Sequence, residues 1–279
     1  KLYRVCRIIK FLTIILIGIY ILIKLLKKRG DQMMKSISKT LNKIKNKIYT
    51  RKNIEFIKKN QCKILFLMGA LITLPYLAPH FALDSYTLLC NSYINYSTIF
   101  FKAGRIVSGA FYCLFEILHL PFNTVSVLST ILSIVILTLS IKELLDIIEL
   151  KNKDTKSKYI IILILCFSML YNFMSMEFFV FMESFVMFLG VLCCLKSLKN
   201  LLLDTKKNKV ISLLYLILAI SCYQGVLCMY IPLVLFFILT DNISIKEKIS
   251  KILLSIIYYG ISFVYSFILI KISNLILKT

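Results

Sequence analysis

Carboxylates at Asp84 and Glu177, a guanidinium at Arg105 and the polar side chains of Lys102, Glu116, His80, Tyr223 and Gln224 are the groups whose types and places could do chemistry. Asp84 follows an apolar run from Ile64 to Ala82 in which His80 is the one side chain able to carry a positive charge and no acid occurs. A carboxylate at such a helix mouth can take the proton of an attacking hydroxyl, provided it lies within hydrogen-bond reach. Arginine offers an anion a two-pronged fork that lysine lacks, so Arg105 is the candidate holder of a phosphate, with Lys102 beside it. Glu177, at another helix end, could share the base role or bind hydroxyls. Tyr223 and Gln224 are neutral donors and acceptors of the kind that orient hydroxyl-rich ligands. His80 and Asp84, four apart, could both face a metal on a continued helix, but two ligands do not make a closed site. His80 follows Pro79 directly and reads first as an interfacial residue that can touch substrate. A divalent cation (Mg or Mn) shared by Asp84 and a substrate phosphate stays open as the one cofactor. There is no GxxxxGK[ST] loop, HExxH or GxSxG.

The elements that must position these groups are membrane helices. Hydrophobic residues make up 59% of the 279-residue chain, far from the soluble norm, so an all-α, polytopic transmembrane helix bundle is expected. The formal net charge of +22 lies mostly in short loops between apolar runs, where lysines stay on the cytoplasmic side and meet anionic lipid. No basic stripe with interleaved aromatics lies outside those loops, which speaks against nucleic acid as a partner. Residues 27–63 are dense in Lys and Arg and read as cytoplasmic. From there 64–82 leads out, 83–122 is a long outer loop, 123–142 returns, 159–175 leads out and 178–195 returns. The stretch 210–240 is too long for one span of about 20 residues. Tyr223-Gln224-Gly225 divides it into two short helices, after which 252–270 leads out again. Every lysine-rich loop then falls on one side, and the candidate residues collect on the other.

Two segments of this plan are amphipathic. Met33, Ile37, Leu41, Ile44 and Ile48 share a helical face, a tether for the inner leaflet that follows an apolar helix over 8–26. Residues 1–62 are therefore expected as a basic N-terminal extension and 63–279 as the transmembrane domain. In the outer loop, Lys102, Arg105, Tyr112, Glu116 and His119 recur at helical spacing, with Gly109 in the remaining place. The expectation is one helix from Ile99 to His119 lying in the headgroup plane, apolar face down and polar stripe away from the membrane. Nine cysteines, mostly within apolar runs and without a CxxC pair, read as small membrane hydrophobes. Cys90 and Cys113 share the outer side and are read as two free thiols rather than a pair.

Chemically the outer set suits sugar transfer from a lipid phosphate: Asp84 as base toward an acceptor hydroxyl, Arg105 as clamp on the departing phosphate. The Asp84-bearing loop after a first core helix, the pair Gly104-Arg105 and the run Ser221-Cys222-Tyr223-Gln224-Gly225 between two short helices resemble the Gtr-type-II glucosyltransferases. The resemblance covers roughly residues 62–270. It implies a GT-C-like architecture, a polyprenyl-phosphate-linked sugar donor such as undecaprenyl-phosphate-glucose, and an envelope glycan as acceptor on the outer face of the bacterial plasma membrane. GT-C proteins often carry a pair of nearby acids where this chain has Asp84 alone, so Glu177 is left as its partner or substitute. Such enzymes usually continue into further helices and an outer C-terminal region, which leaves the completeness of the sequence open at this point. Two other readings are kept: an envelope polysaccharide polymerase or ligase, which would carry more outer arginines than Arg105, and a transporter or flippase of lipid-linked sugar, which would show an internal repeat and midplane charges.

Overall fold

The computed structural model describes residues 51–78, 92–151 and 159–277. His80, Asp84 and Cys90, the expected helix over 8–26 and the amphipathic segment 33–48 lie outside these. By its internal contacts the chain divides into two units, Lys1–Lys58 and Lys59–Thr279. Of the first, the described part belongs to helix α1 (Arg51–Lys59).

The second unit is helical throughout its described residues: α2 (Gln61–Ile72), α3 (Tyr93–Lys102), α4 (Ile106–Ile117), α5 (Phe122–Lys151), α6 (Tyr159–Leu170), α7 (Phe173–Phe178), α8 (Ser184–Leu203), α9 (Lys206–Cys222), α10 (Leu227–Leu239) and α11 (Ile245–Ile276). Short 3-10 turns follow α2 (Leu74–Leu77) and separate α9 from α10 (Gln224–Val226). Three of the helices, α5, α8 and α11, are long and apolar enough to cross a membrane. The expected all-α membrane bundle is what the chain forms.

Helix α8 is the axis of the unit. It packs along α9, α5 and α10 and buries residues on every side of its length, as a helix apolar all round must. Small residues let its neighbours come close. A Cβ on Gly190 would lie 3.3 Å from the Ala219 carbonyl of α9. Where side chains are polar they bond across helices, because hydrocarbon offers no water to replace a lost partner. Ser184 Oγ is 2.9 Å from both Ser129 Oγ and Ser133 Oγ of α5. Ser212 of α9 donates to the Ser197 carbonyl at 2.8 Å. Thr138 and Ser140 of α5 satisfy their hydroxyls on carbonyls four residues back.

Helix lengths separate the two ends of the bundle. The 30 residues of α5 run about 45 Å at 1.5 Å each, against a hydrocarbon thickness of about 30 Å. Its surplus carries Glu143 and Asp146, both 3.0 Å from Lys199 Nζ of α8. Asp204, at the C-cap of α8, is bonded to Lys209 of α9 at 2.8 Å and lies 3.7 Å from Lys251 of α11. These contacts hold the Asp204 carboxyl below its usual range, the Lys209 hydrogen bond contributing most. Lysines from three helices thus gather at one end. At the other end are the α3–α4 hairpin, the 3-10 turn 224–226 and the last turns of α11, where the Asn274 amide reaches the Lys102 carbonyl at 3.5 Å. The break expected at Tyr223-Gln224-Gly225 is there, between α9 and α10.

One element departs from expectation. The single helix over 99–119 is two antiparallel pieces, α3 and α4, because Gly104 turns the chain with φ +74°. The polar stripe is divided as well, with Lys102 and His119 exposed and Arg105 and Glu116 half-buried. Gly109 and Tyr112 of the polar stripe point into the protein, while Leu114 and Ile117 are 42% and 71% exposed. The reason is packing. A Cβ at Gly109 would lie 2.8 Å from the Phe101 ring of α3, so the hairpin closes on a glycine-and-aromatic face, and Leu114 and Ile117 are left on the outside.

Ser184→Ala removes the hydroxyl that joins two buried serines of α5 to α8. A loss of about 1 kcal/mol in unfolding free energy is expected, read by denaturant titration in detergent micelles; an unchanged midpoint would mean that close packing alone holds α5 to α8.

Candidate functional site

The turn that reverses the hairpin also aims its cation. Gly104 N donates to the Phe101 carbonyl at 3.0 Å, and Arg105 N to the Phe100 carbonyl at 2.9 Å. These two bonds are the pair that closes a helix on a left-handed residue, a conformation glycine adopts without penalty. Close approach adds a second demand, since a Cβ on Gly104 would lie 2.8 Å from Ile270 of α11. The Gly-Arg pair therefore has a mechanical meaning: glycine ends α3, and the arginine is the first residue delivered past the cap.

Arg105 lands in a cradle built by the α9–α10 break. Its Nε donates to Gln224 Oε1 at 2.9 Å, and its guanidinium carbon lies 4.7 Å from the centre of the Tyr223 ring and 5.7 Å from that of Phe100. The Gln224 amide nitrogen donates back to the Ala103 carbonyl, so one glutamine ties both the side chain and its turn. Ser108 Oγ, buried, donates to the Cys222 carbonyl at 3.1 Å and fastens α4 to the end of α9. Tyr223 is braced edge-on by Phe178 of α7, centroids 5.6 Å apart. Held through Nε and sandwiched between rings, the guanidinium has its two terminal nitrogens without a hydrogen-bond partner among the described residues. That is the fork an oxyanion takes.

The hairpin is tied down by carboxylates. Glu116 Oε2 accepts the Tyr93 backbone N–H at 3.1 Å, capping the start of α3 with a negative charge, and Tyr93 Oη donates to the Leu120 carbonyl at 2.9 Å. Deeper, Tyr112 Oη donates to Glu183 Oε2 at 2.8 Å, with Tyr112 1% and Glu183 7% exposed. The Tyr112 ring stacks on Phe100 with centroids 5.1 Å apart and planes 6° apart, and Phe100 in turn underlies Arg105. Burial, then the Glu183 charge, pushes the Tyr112 phenol well above its ordinary value. Burial and Glu116 push Tyr93 up to about 12. Both phenols are neutral donors at any physiological pH.

The candidates read from sequence thus separate. Arg105, Tyr223 and Gln224, over a hundred residues apart in the chain, are in contact. Glu116 is engaged at a helix start. Lys102 ends α3 exposed, its carbonyl rather than its amine in contact with Asn274. Glu177 is exposed on α7, one residue before Phe178, and its carboxylate makes no hydrogen bond or ion pair to any described residue. Asp84 and His80 lie outside the described residues, in a segment whose flanks are anchored. Before it, the Tyr76 carbonyl accepts from Thr130 and the Tyr76 ring lies 5.6 Å from that of Phe179; after it, Tyr93 is held by Glu116. No group of three or more potential metal ligands occurs among the described residues. Phe178 was not singled out from sequence, being hidden in an apolar run. Glu183 is legible there as a carboxylate lying deeper than Glu177, but nothing in the sequence showed its partner Tyr112.

Beside the cradle lies a cavity of about 180 Å³, bounded by Leu137, Met169, Asn172, Phe178, Val191, Gly225 and Met229 among others. It runs from α7 and the 3-10 turn down between α5, α6 and α8.

A family model described as Glucosyl transferase GtrII matches residues 77–279. No curated protein and no solved structure matches the chain.

Gly104→Ala tests the turn. A residue with a Cβ forced into the left-handed region costs roughly 1–2 kcal/mol, and here it also meets Ile270. A lowered melting temperature in micelles is expected; one equal to that of the unsubstituted chain would refute the demand for glycine.

Proposed function

The chain belongs to the GtrII glucosyl transferase family, matched over residues 77–279, and from that premise we propose the donor, the acceptor and the side on which it works. It moves a glucosyl, or other hexosyl, group from a polyprenyl-phosphate donor to a cell-envelope glycan, with inversion at the anomeric carbon, at the outer face of the bacterial plasma membrane. The scaffold is GT-C-like and the surrounding lipids are its solvent.

The observation that carries this reading is the Arg105 cradle. A guanidinium pinned through Nε, flanked by two rings and with its terminal nitrogens open among the described residues is preorganised for the charge that develops on a leaving phosphate. An anion of that kind on a lipid anchor remains at the membrane surface, the level at which α3, α4 and the α9–α10 break lie. The outer assignment is supported by the clustering of Lys199, Lys209 and Lys251 at the opposite end. Asp84 is the base toward the acceptor hydroxyl, with Glu177 as its partner or substitute. Lys102, Tyr223 and Gln224 complete the contacts to donor phosphate and sugar, and a divalent cation bridging Asp84 and the phosphate fits the same charges.

Two substitutions test the roles. Asp84→Asn should lower transfer from polyprenyl-phosphate-glucose by about a hundredfold or more with membrane insertion unchanged, and turnover equal to wild type would remove Asp84 from the mechanism. Arg105→Lys should raise the apparent KM for the donor about tenfold and leave that for the acceptor nearly untouched. An unaltered donor KM would refute the phosphate role.

A further inference from the structure

We propose that the cavity beside Arg105 is the seat of the donor's hydrocarbon chain, so that the lipid is held in two places, its phosphate on the guanidinium and its first isoprenoid units among α5, α6, α8 and α10. The proposal rests on the lipid-phosphate reading above and adds the residues that recognise the lipid part.

The cavity and the cradle share a wall. Phe178 lines the cavity, and its ring meets the edge of Tyr223, whose face carries Arg105. Gly225 lines it from the other side, next in sequence to the Gln224 that holds the arginine. From this wall the space descends past Phe188 and Val191 of α8 and Leu137 of α5, all within helices read as membrane spans.

Its chemistry selects hydrocarbon over sugar. Asn172 and Ser175 are the polar side chains of the lining, and both are engaged with each other and the backbone. Asn172 Oδ1 accepts from Ser175 N at 2.9 Å and from Ser175 Oγ at 3.3 Å, and Asn172 Nδ2 donates to the Met169 carbonyl at 2.8 Å. A hexose placed there would lose water without gaining partners, whereas an isoprenoid loses nothing and gains burial. An apolar cavity abutting an open guanidinium fits an amphiphile with an anionic head.

The test measures binding, apart from catalysis. Radiolabelled undecaprenyl phosphate is titrated onto the purified full chain in phosphatidylglycerol nanodiscs, wild type beside Val191→Phe and Met169→Trp, with glucose 1-phosphate as a probe of the head site alone. Val191 fills the cavity from the packed side. Met169 is 46% exposed, so a larger side chain there is tolerated by the fold. The expected result is saturable binding to wild type above the phospholipid background, weakened about tenfold in each variant, with glucose 1-phosphate binding unchanged. Undiminished undecaprenyl phosphate binding by both variants would overturn the cavity assignment while leaving the donor reading intact. Equal loss of glucose 1-phosphate binding would overturn it too, by showing no separate tail site. Absence of saturable binding to wild type would refute the lipid-phosphate reading itself.

Discussion

The three-residue turn Ala103-Gly104-Arg105 is the constraint on which the candidate site depends. Its carbonyls and amides decide where α3 stops, and the bond from the Phe100 carbonyl to Arg105 N sets the direction in which the arginine leaves. The same turn is held at three points by two other elements: Gln224 of the 3-10 turn after α9 reaches the Ala103 carbonyl, Asn274 of α11 reaches the Lys102 carbonyl, and Ile270 of α11 packs on Gly104. A cation on a long flexible side chain loses much of its value to rotamer entropy. Here the freedom is removed before any ligand arrives, by a hydrogen bond to Nε and by the Phe100 and Tyr223 rings that flank it.

The rest of the bundle can be understood as what it takes to hold that turn. Along the buried faces of α5, α8 and α9 serines and threonines bond to one another or to their own backbones, and small residues bring the helices together. At the far end, acids on the surplus turns of α5 pair with Lys199, and Asp204 gathers Lys209 and Lys251. Pairs as exposed as Asp204 with Lys209 contribute little stability each. Their value is positional, since they place the ends of α5, α8, α9 and α11 in one plane.

How much of this was legible in the sequence follows from which signals are local. Apolar length and lysine-rich loops are local, and they disclosed the all-helical membrane class, with α5, α8 and α11 long and apolar enough to cross, and the interruption at Tyr223-Gln224-Gly225. The partnership of Arg105 with Gln224 is not local, being a contact across 119 positions; the two were placed on one side, but nothing in the spacing showed that they touch. The hairpin was misread for an instructive reason. Lys102, Arg105, Tyr112 and Glu116 keep a helical period, which a glycine inside it does not visibly interrupt. Period alone also cannot say which face meets protein. The stripe divides: Lys102 and His119 stay exposed, whereas Tyr112 turns inward to Glu183 and Leu114 and Ile117 are left on the outside.

The carboxylates at this end of the protein show how environment divides labour among identical groups. Glu116 caps α3, and a helix start favours its charge without asking it to exchange a proton. Glu183 is buried against a phenol that stacks on the ring under Arg105, so its charge fixes the floor of the cradle. A general base must be reachable by a hydroxyl and must have acceptor capacity to spare, and neither of these has both. Glu177 does, standing exposed one residue from the aromatic wall of the cradle. Among the described carboxylates at this end only the exposed Glu177 is therefore open to the proposed proton-transfer role, and the burial that removes Glu183 from it is what suits Glu183 to holding the rings beneath Arg105.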